Sequence, residues 1–124
     1  MSEAYKGPEL LDLAATAARG GSGAILSCES DDLDLNLVRF AAGAGVASHV
    51  NREVDVLLIG IAGSGTVTVD DETFDLTAGK AILIPKGSAR SSQSPHAGEF
   101  VYLTVHRRRR GLLPGPRPSH TDAM

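Results

Sequence analysis

Apolar residues in this chain come in short runs, and most of the runs alternate with polar ones. In Leu33 to Phe40 the alternation is clear: Leu33, Leu35, Leu37 and Arg39 fall on one face, and Asp34, Asn36, Val38 and Phe40 on the other. That period of two predicts a strand. Val56 to Ile61 is apolar throughout and is closed by Gly63-Ser64-Gly65. A run this short, β-branched and close to glycine predicts a buried strand rather than a helix. Further strands are predicted over 24–28, 66–69, 73–76, 80–84, 88–94 and 99–106, separated by turns at 29–32, 70–72, 77–79, 85–87 and 94–98. These turns are built from Asp, Ser, Gly and Pro, each suited to reversing the chain. About nine short strands at roughly 8–12-residue spacing, without βαβ alternation, predict a β-sandwich or barrel.

One segment reads differently. Residues 8–18, PELLDLAATAA, predict a short helix, with Leu10, Leu11, Leu13 and Ala14 as its apolar stripe. Pro8 suits the first turn, Glu9 and Asp12 suit the positive end of the dipole, and Gly20-Gly21 supplies a stop. We expect an N-terminal arm, residues 1–22, that packs on a barrel formed by 23–106. The last eighteen residues, RRRRGLLPGPRPSHTDAM, hold three prolines and two glycines. They read as a flexible basic tail, 107–124.

Composition narrows the class. The chain has 124 residues, enough for one domain, and 42% are apolar, too many for a disordered chain. No apolar run approaches the roughly 20 residues of a membrane span. The start, MSEAYKGPELLDLAA, lacks a basic region followed by an apolar one, so no signal peptide is expected. The single cysteine, Cys28, permits no internal disulfide. A cytoplasmic location is the expectation. The net charge of −3 hides an asymmetry: residues 1–106 carry seven basic and fourteen acidic side chains, and the other basic residues are Arg107 to Arg110 and Arg117. An acidic barrel disfavours nucleic acid as its partner. The arginine run lacks aromatic interleaving and reads as a solvated tail that aids solubility or pairs with the acidic barrel.

The stretch from Gly43 to Gly65 places His49, Asn51, Arg52, Glu53 and Asp55 just ahead of the buried strand. Its glycines, with those downstream, follow a known spacing. The chain resembles a small single-domain member of the cupin superfamily over residues 24–106. Gly43, His49, Asn51, Val56 and Gly63 fall on the family's first motif, and Gly79, Pro85, Gly87, Arg90 and Ser94 on its second. The resemblance implies an all-β double-stranded β-helix, the jelly-roll barrel, with the helical arm as an addition. All five turn-shaping positions are kept: Gly43, Gly63, Gly79, Pro85 and Gly87. Of the four positions that hold a divalent metal in the family, His49 alone is kept; the others are Asn51, Val56 and Arg90.

Those substitutions change the chemistry. A transition metal needs lone pairs from neutral nitrogen or anionic oxygen. Val56 has none, and Arg90 stays protonated and accepts nothing. A fixed cation where a dication would sit is repulsive. We therefore expect no metal and no cofactor, unless Glu53 or Asp55 swings in. An inward Arg90 needs either a carboxylate (Glu53, Asp55 or Glu99) or an anionic ligand. His49, Asn51, Arg90, Ser92 and Tyr102 are the candidate ligand-binding residues. Cys28, beside Glu29, Asp31 and Asp32, is expected to be structural. Three readings remain open: a metal-independent module that binds or senses a small polar or anionic molecule, an isomerase- or oxygenase-like enzyme, and a structural module. A homodimer is expected because the all-apolar Val56–Ile61 strand needs cover on both faces.

Overall fold

Residues 7–95 and 98–108 are described by the computed structural model. One helix, α1 (Leu13–Ala18), precedes eight strands: β1 (Gly23–Glu29), β2 (Leu33–Phe40), β3 (Gly45–Val50), β4 (Val56–Val69), β5 (Glu72–Thr77), β6 (Ala81–Ile84), β7 (Ala89–Gln93) and β8 (Phe100–Arg107). All pairings are antiparallel. Strands β1, β2, β8, the first part of β4, and β6 lie side by side in that order. The second part of β4 lies between β5 and β7, and β3 is the outer neighbour of β7.

Strand β4 is the seam of the two sheets. Opposite β8 its register slips between Gly60 and Ala62, which puts one extra residue into β4. Such a bulge bends a strand and reverses which side chains face inward. Before it Val56 and Leu58 are buried; after it Val67 is. The sheets close around one core, in which Val38, Phe40, Val56, Leu58, Phe100 and Tyr102 of the first sheet meet Val67 and Leu76 of the second. This is the expected all-β jelly-roll barrel.

Gly63 sits just past the bulge at φ +66°, and a Cβ there would run into the Glu99 carbonyl oxygen. Only glycine fits both demands. Gly43, Gly79 and Gly87 also have positive φ, as their turn positions predict.

The outer face of the first sheet has its own cover. Ala17 of α1 is buried with Leu37, Val101 and Leu103, and Leu13 packs beside them. The helix is shorter than the sequence predicts. Asp12 has extended backbone, and its side chain accepts from the Ala15 amide at 3.0 Å. Aspartate is a strong N-cap, so the helix starts at Leu13 and leaves Leu10 exposed. The predicted stop holds, with Gly20 and Gly21 both at positive φ. Two more corrections concern strands. Residues Gly45–Val50 form β3 where the sequence suggested only a turn and a polar patch, and β8 runs on through Arg107. Among the described residues no helix is long and apolar enough to cross a membrane.

Candidate functional site

The polar side chains inside the barrel come from β3, β7 and β8. On β7, alternate residues Arg90 and Ser92 point inward and are buried. Arg90 pairs directly with His49 of β3, and Ser92 with Val46. Two steps along β7 thus match three along β3, so β3 carries a bulge between Val46 and His49. The bulge aims both of those side chains at the same interior space. Across the barrel, Tyr102 of β8 is fully buried. His49, Arg90, Ser92 and Tyr102 line one space with Val46, Leu58 and Val67. Its empty volume is about 170 Å³, in clefts narrower than a water molecule.

Two hydrogen bonds tie these groups down. The His49 Nδ1 lies 3.1 Å from the Ala47 carbonyl oxygen. A carbonyl only accepts, so Nδ1 is the protonated nitrogen of this contact. The His49 Nε2 is buried and has no hydrogen-bond partner among the described residues. The Ser92 and Tyr102 hydroxyls meet at 3.3 Å. Burial raises the Tyr102 pKa, and the Ser92 hydrogen bond and the Arg90 charge pull it back in part. The Tyr102 ring is held by Phe40 and Phe100, with centroids at 5.8 and 5.0 Å.

Asn51, the fifth candidate, is not brought into this space. It is buried at the end of β3, where its Oδ1 accepts from the Glu53 amide at 2.9 Å and the Val54 amide at 3.4 Å. It organises the turn into β4 and is not among the residues that line the interior space. The carboxylates named as partners for Arg90 are also placed. Glu99 pairs with Arg39. Asp55 is exposed and accepts from the Lys86 amide at 2.9 Å. Glu53 is exposed.

This donor set does not fit a metal. Val56 is 1% exposed inside the apolar core, the Asn51 oxygen already accepts two amides, and Arg90 brings a positive charge. Among the described residues no three His, Cys, Asp or Glu side chains cluster in a way that could hold an ion.

Other features sort quickly. His106, read only as a strand end, is buried inside the barrel; its Nδ1 donates to the Arg107 carbonyl at 2.9 Å, and its Nε2 has no partner among the described residues. Its inward phase could have been read from the alternation Tyr102, Thr104, His106. The Cys28 thiol donates to Glu9 at 3.5 Å. A carboxylate acceptor favours the thiol over the thiolate. Arg108 bonds Glu29 at 3.0 Å and the Ser30 carbonyl at 3.2 Å, and its amide bonds the Asp32 carbonyl at 2.7 Å. The start of the arginine run is therefore tied to the acidic β1–β2 turn. His96, His120 and 109–124 lie outside the described residues. A larger depression, with an empty volume of about 650 Å³, opens on the outer side of the second sheet, lined by Ser64, Thr66, Asp75, Thr77, Gln93 and Ser94. None of these lining residues is basic.

A family model described as "Cupin domain" matches residues 36–106. No match is found among curated proteins. Solved structures do match. The BH2720 protein of Bacillus halodurans superposes with TM-score 0.75 at 15% identity, covering 86% of this chain and 85% of that one. The TT1209 protein of Thermus thermophilus gives 0.71 at 21% identity, covering 83% of this chain and all of that one (100%). A cupin-2 domain protein of Shewanella frigidimarina gives 0.66 at 18% identity, over 80% and 95%. At these identities the likeness is one of fold.

Proposed function

The chain belongs to the cupin domain family, and from that premise we propose that it binds a small carboxylate inside its barrel without a metal. One observation carries the reading: Arg90, 4% exposed, stands directly across the β3–β7 pair from His49, with the Ser92 and Tyr102 hydroxyls on the same space. A buried guanidinium is costly to desolvate, and a planar carboxylate matches its forked donors. The clefts are narrower than a water molecule, so this reading requires the edge strand β3, which carries half-buried His49, to move outward and admit an anion of few atoms. The remnant metal position is thus turned to anion recognition.

Thermal shift with a panel of small carboxylates tests this. The wild type gains several degrees in Tm at saturating ligand, as mass action requires. Arg90→Gln and Arg90→Lys lose most of the gain. A wild type unmoved by every carboxylate overturns the reading.

A second reading concerns assembly and is compatible with the first. On the outer face of the first sheet, Leu83, Leu57, Val105 and Leu35 stand in register across β6, β4, β8 and β2. Leu83 is 65% exposed. The row continues the apolar face that α1 covers, and we propose that a second copy of the chain completes the cover.

A further inference from the structure

The open depression on the outer side of the second sheet is floored by a regular polar array. Gln93, Thr66 and Asp75 stand in register across β7, β4 and β5, and Ser64 opposes Thr77 two residues back along β4. Alternation puts all five on one side of the sheet. Opposed side chains stand about 5 Å apart and alternate ones about 7 Å. The floor therefore measures about 10 by 7 Å, the footprint of one or two sugar rings. The space above it has an empty volume of about 650 Å³.

The chemistry of this floor is narrow. Asp75 is exposed and carries the only charge among the lining residues. Two neighbours are held in place beforehand. Gln93 Nε2 donates to the Gly43 carbonyl at 3.2 Å, which turns Oε1 to accepting. Ser94, 1% exposed, donates its hydroxyl to the Gly98 carbonyl at 3.0 Å, so toward a ligand its oxygen accepts. Groups pinned in advance lose little freedom on binding. Ser64, Thr66 and Thr77 add hydroxyls that donate as well as accept. An anion meets the Asp75 charge and no basic group. An ammonium gains one exposed ion pair, worth little in water, and leaves the three hydroxyl donors unused. A neutral molecule with several hydroxyls uses every group: it donates to Asp75, Gln93 and Ser94 and accepts from the threonines and Ser64.

We propose that this depression binds a neutral sugar, with adjacent hydroxyls seated on the Asp75 carboxylate. The site is separate from the interior one and does not depend on it. No aromatic ring lines the floor, so stacking adds nothing and Kd falls in the millimolar range.

Amide NMR titration of the full chain with methyl glucoside, methyl mannoside, methyl galactoside and cellobiose tests this, with putrescine as the cationic control. At least one sugar gives saturable shifts centred on residues 64–66, 75–77 and 93–94. Asp75→Ala and, as a second variant, Thr66→Val each weaken that sugar, the first by about tenfold or more. Arg90→Gln leaves the sugar shifts unchanged. Melting curves establish that the variants fold; should one not fold, the other and the wild-type map decide. No saturable shift with any sugar at high millimolar concentration overturns the proposal. So do shifts that survive both outer-face substitutions, shifts lost in Arg90→Gln, or tighter binding of putrescine than of every sugar.

Discussion

A single methyl group separates two glycines that are alike in sequence. Gly63 and Gly79 both take positive φ, but a Cβ at Gly63 meets the Glu99 carbonyl and one at Gly79 meets nothing within 4 Å. Left-handed backbone alone costs about 1–2 kcal/mol with a side chain. Gly79→Ala should therefore cost about 1 kcal/mol, and Gly63→Ala clearly more than about 2 kcal/mol, in urea unfolding. Equal losses would contradict the close approach. Tyr102 supports a pH prediction. Its folded pKa lies above its unfolded value of 10.0 because burial disfavours the phenolate. Its contribution to stability is thus complete below pH 10 and declines as pH rises toward the folded pKa. Stability measured from pH 9 to 11.5 should fall in wild type and fall less in Tyr102→Phe. At this scale the site was partly legible. Motif spacing pointed to His49 and Arg90, and strand phase to Ser92 and Tyr102; the fold gathers all four. It also pointed to Asn51, whose oxygen the local turn consumes. Such capping by an Asx side chain competes with ligand binding, and spacing alone does not reveal the winner.

Among the elements, those with strong alternation were readable and those with bulges were not. Strand β2 spans the residues its pattern predicts, Leu33–Phe40. Strand β3, GVASHV, is an edge strand of small and polar residues whose bulge sets Val46 and His49 three apart on one face. A bulge of that kind erases the period of two on which a sequence reading depends. The bulge at Gly60–Ala62 joins two predicted strands into the single long β4. The helix was misjudged at its start, because Asp12 serves as a cap rather than as a first-turn residue. Its packing gives a direct prediction. Ala17 is buried against Leu37, Val101 and Leu103. Ala17→Asp places an unmatched carboxylate there and should cost about 1–3 kcal/mol in denaturant unfolding. No loss would mean that the arm does not cover the sheet.

For the whole molecule, the barrel sets an apolar interior with one polar cluster against two different outer faces. The second sheet turns Ser, Thr, Asp and Gln side chains outward around a shallow depression. The first turns out Leu35, Leu57, Leu83 and Val105, and among the described residues α1 covers part of that face. If a second copy covers the rest, light scattering gives a dimer for wild type and a shift toward monomer for Leu83→Lys. Monomeric wild type at tens of micromolar would contradict that assembly. The central claim, however, concerns the interior: a metal-ligand position in the family's barrel has become an anion anchor. The most direct measurement is nitrogen-15 NMR of the arginine Nε–H groups, with the Arg90 signal assigned by its loss in Arg90→Lys, during titration with glycolate. The account predicts a saturable shift of the Arg90 signal while other arginine signals stay in place. An Arg90 signal that stays put at high millimolar glycolate would contradict it.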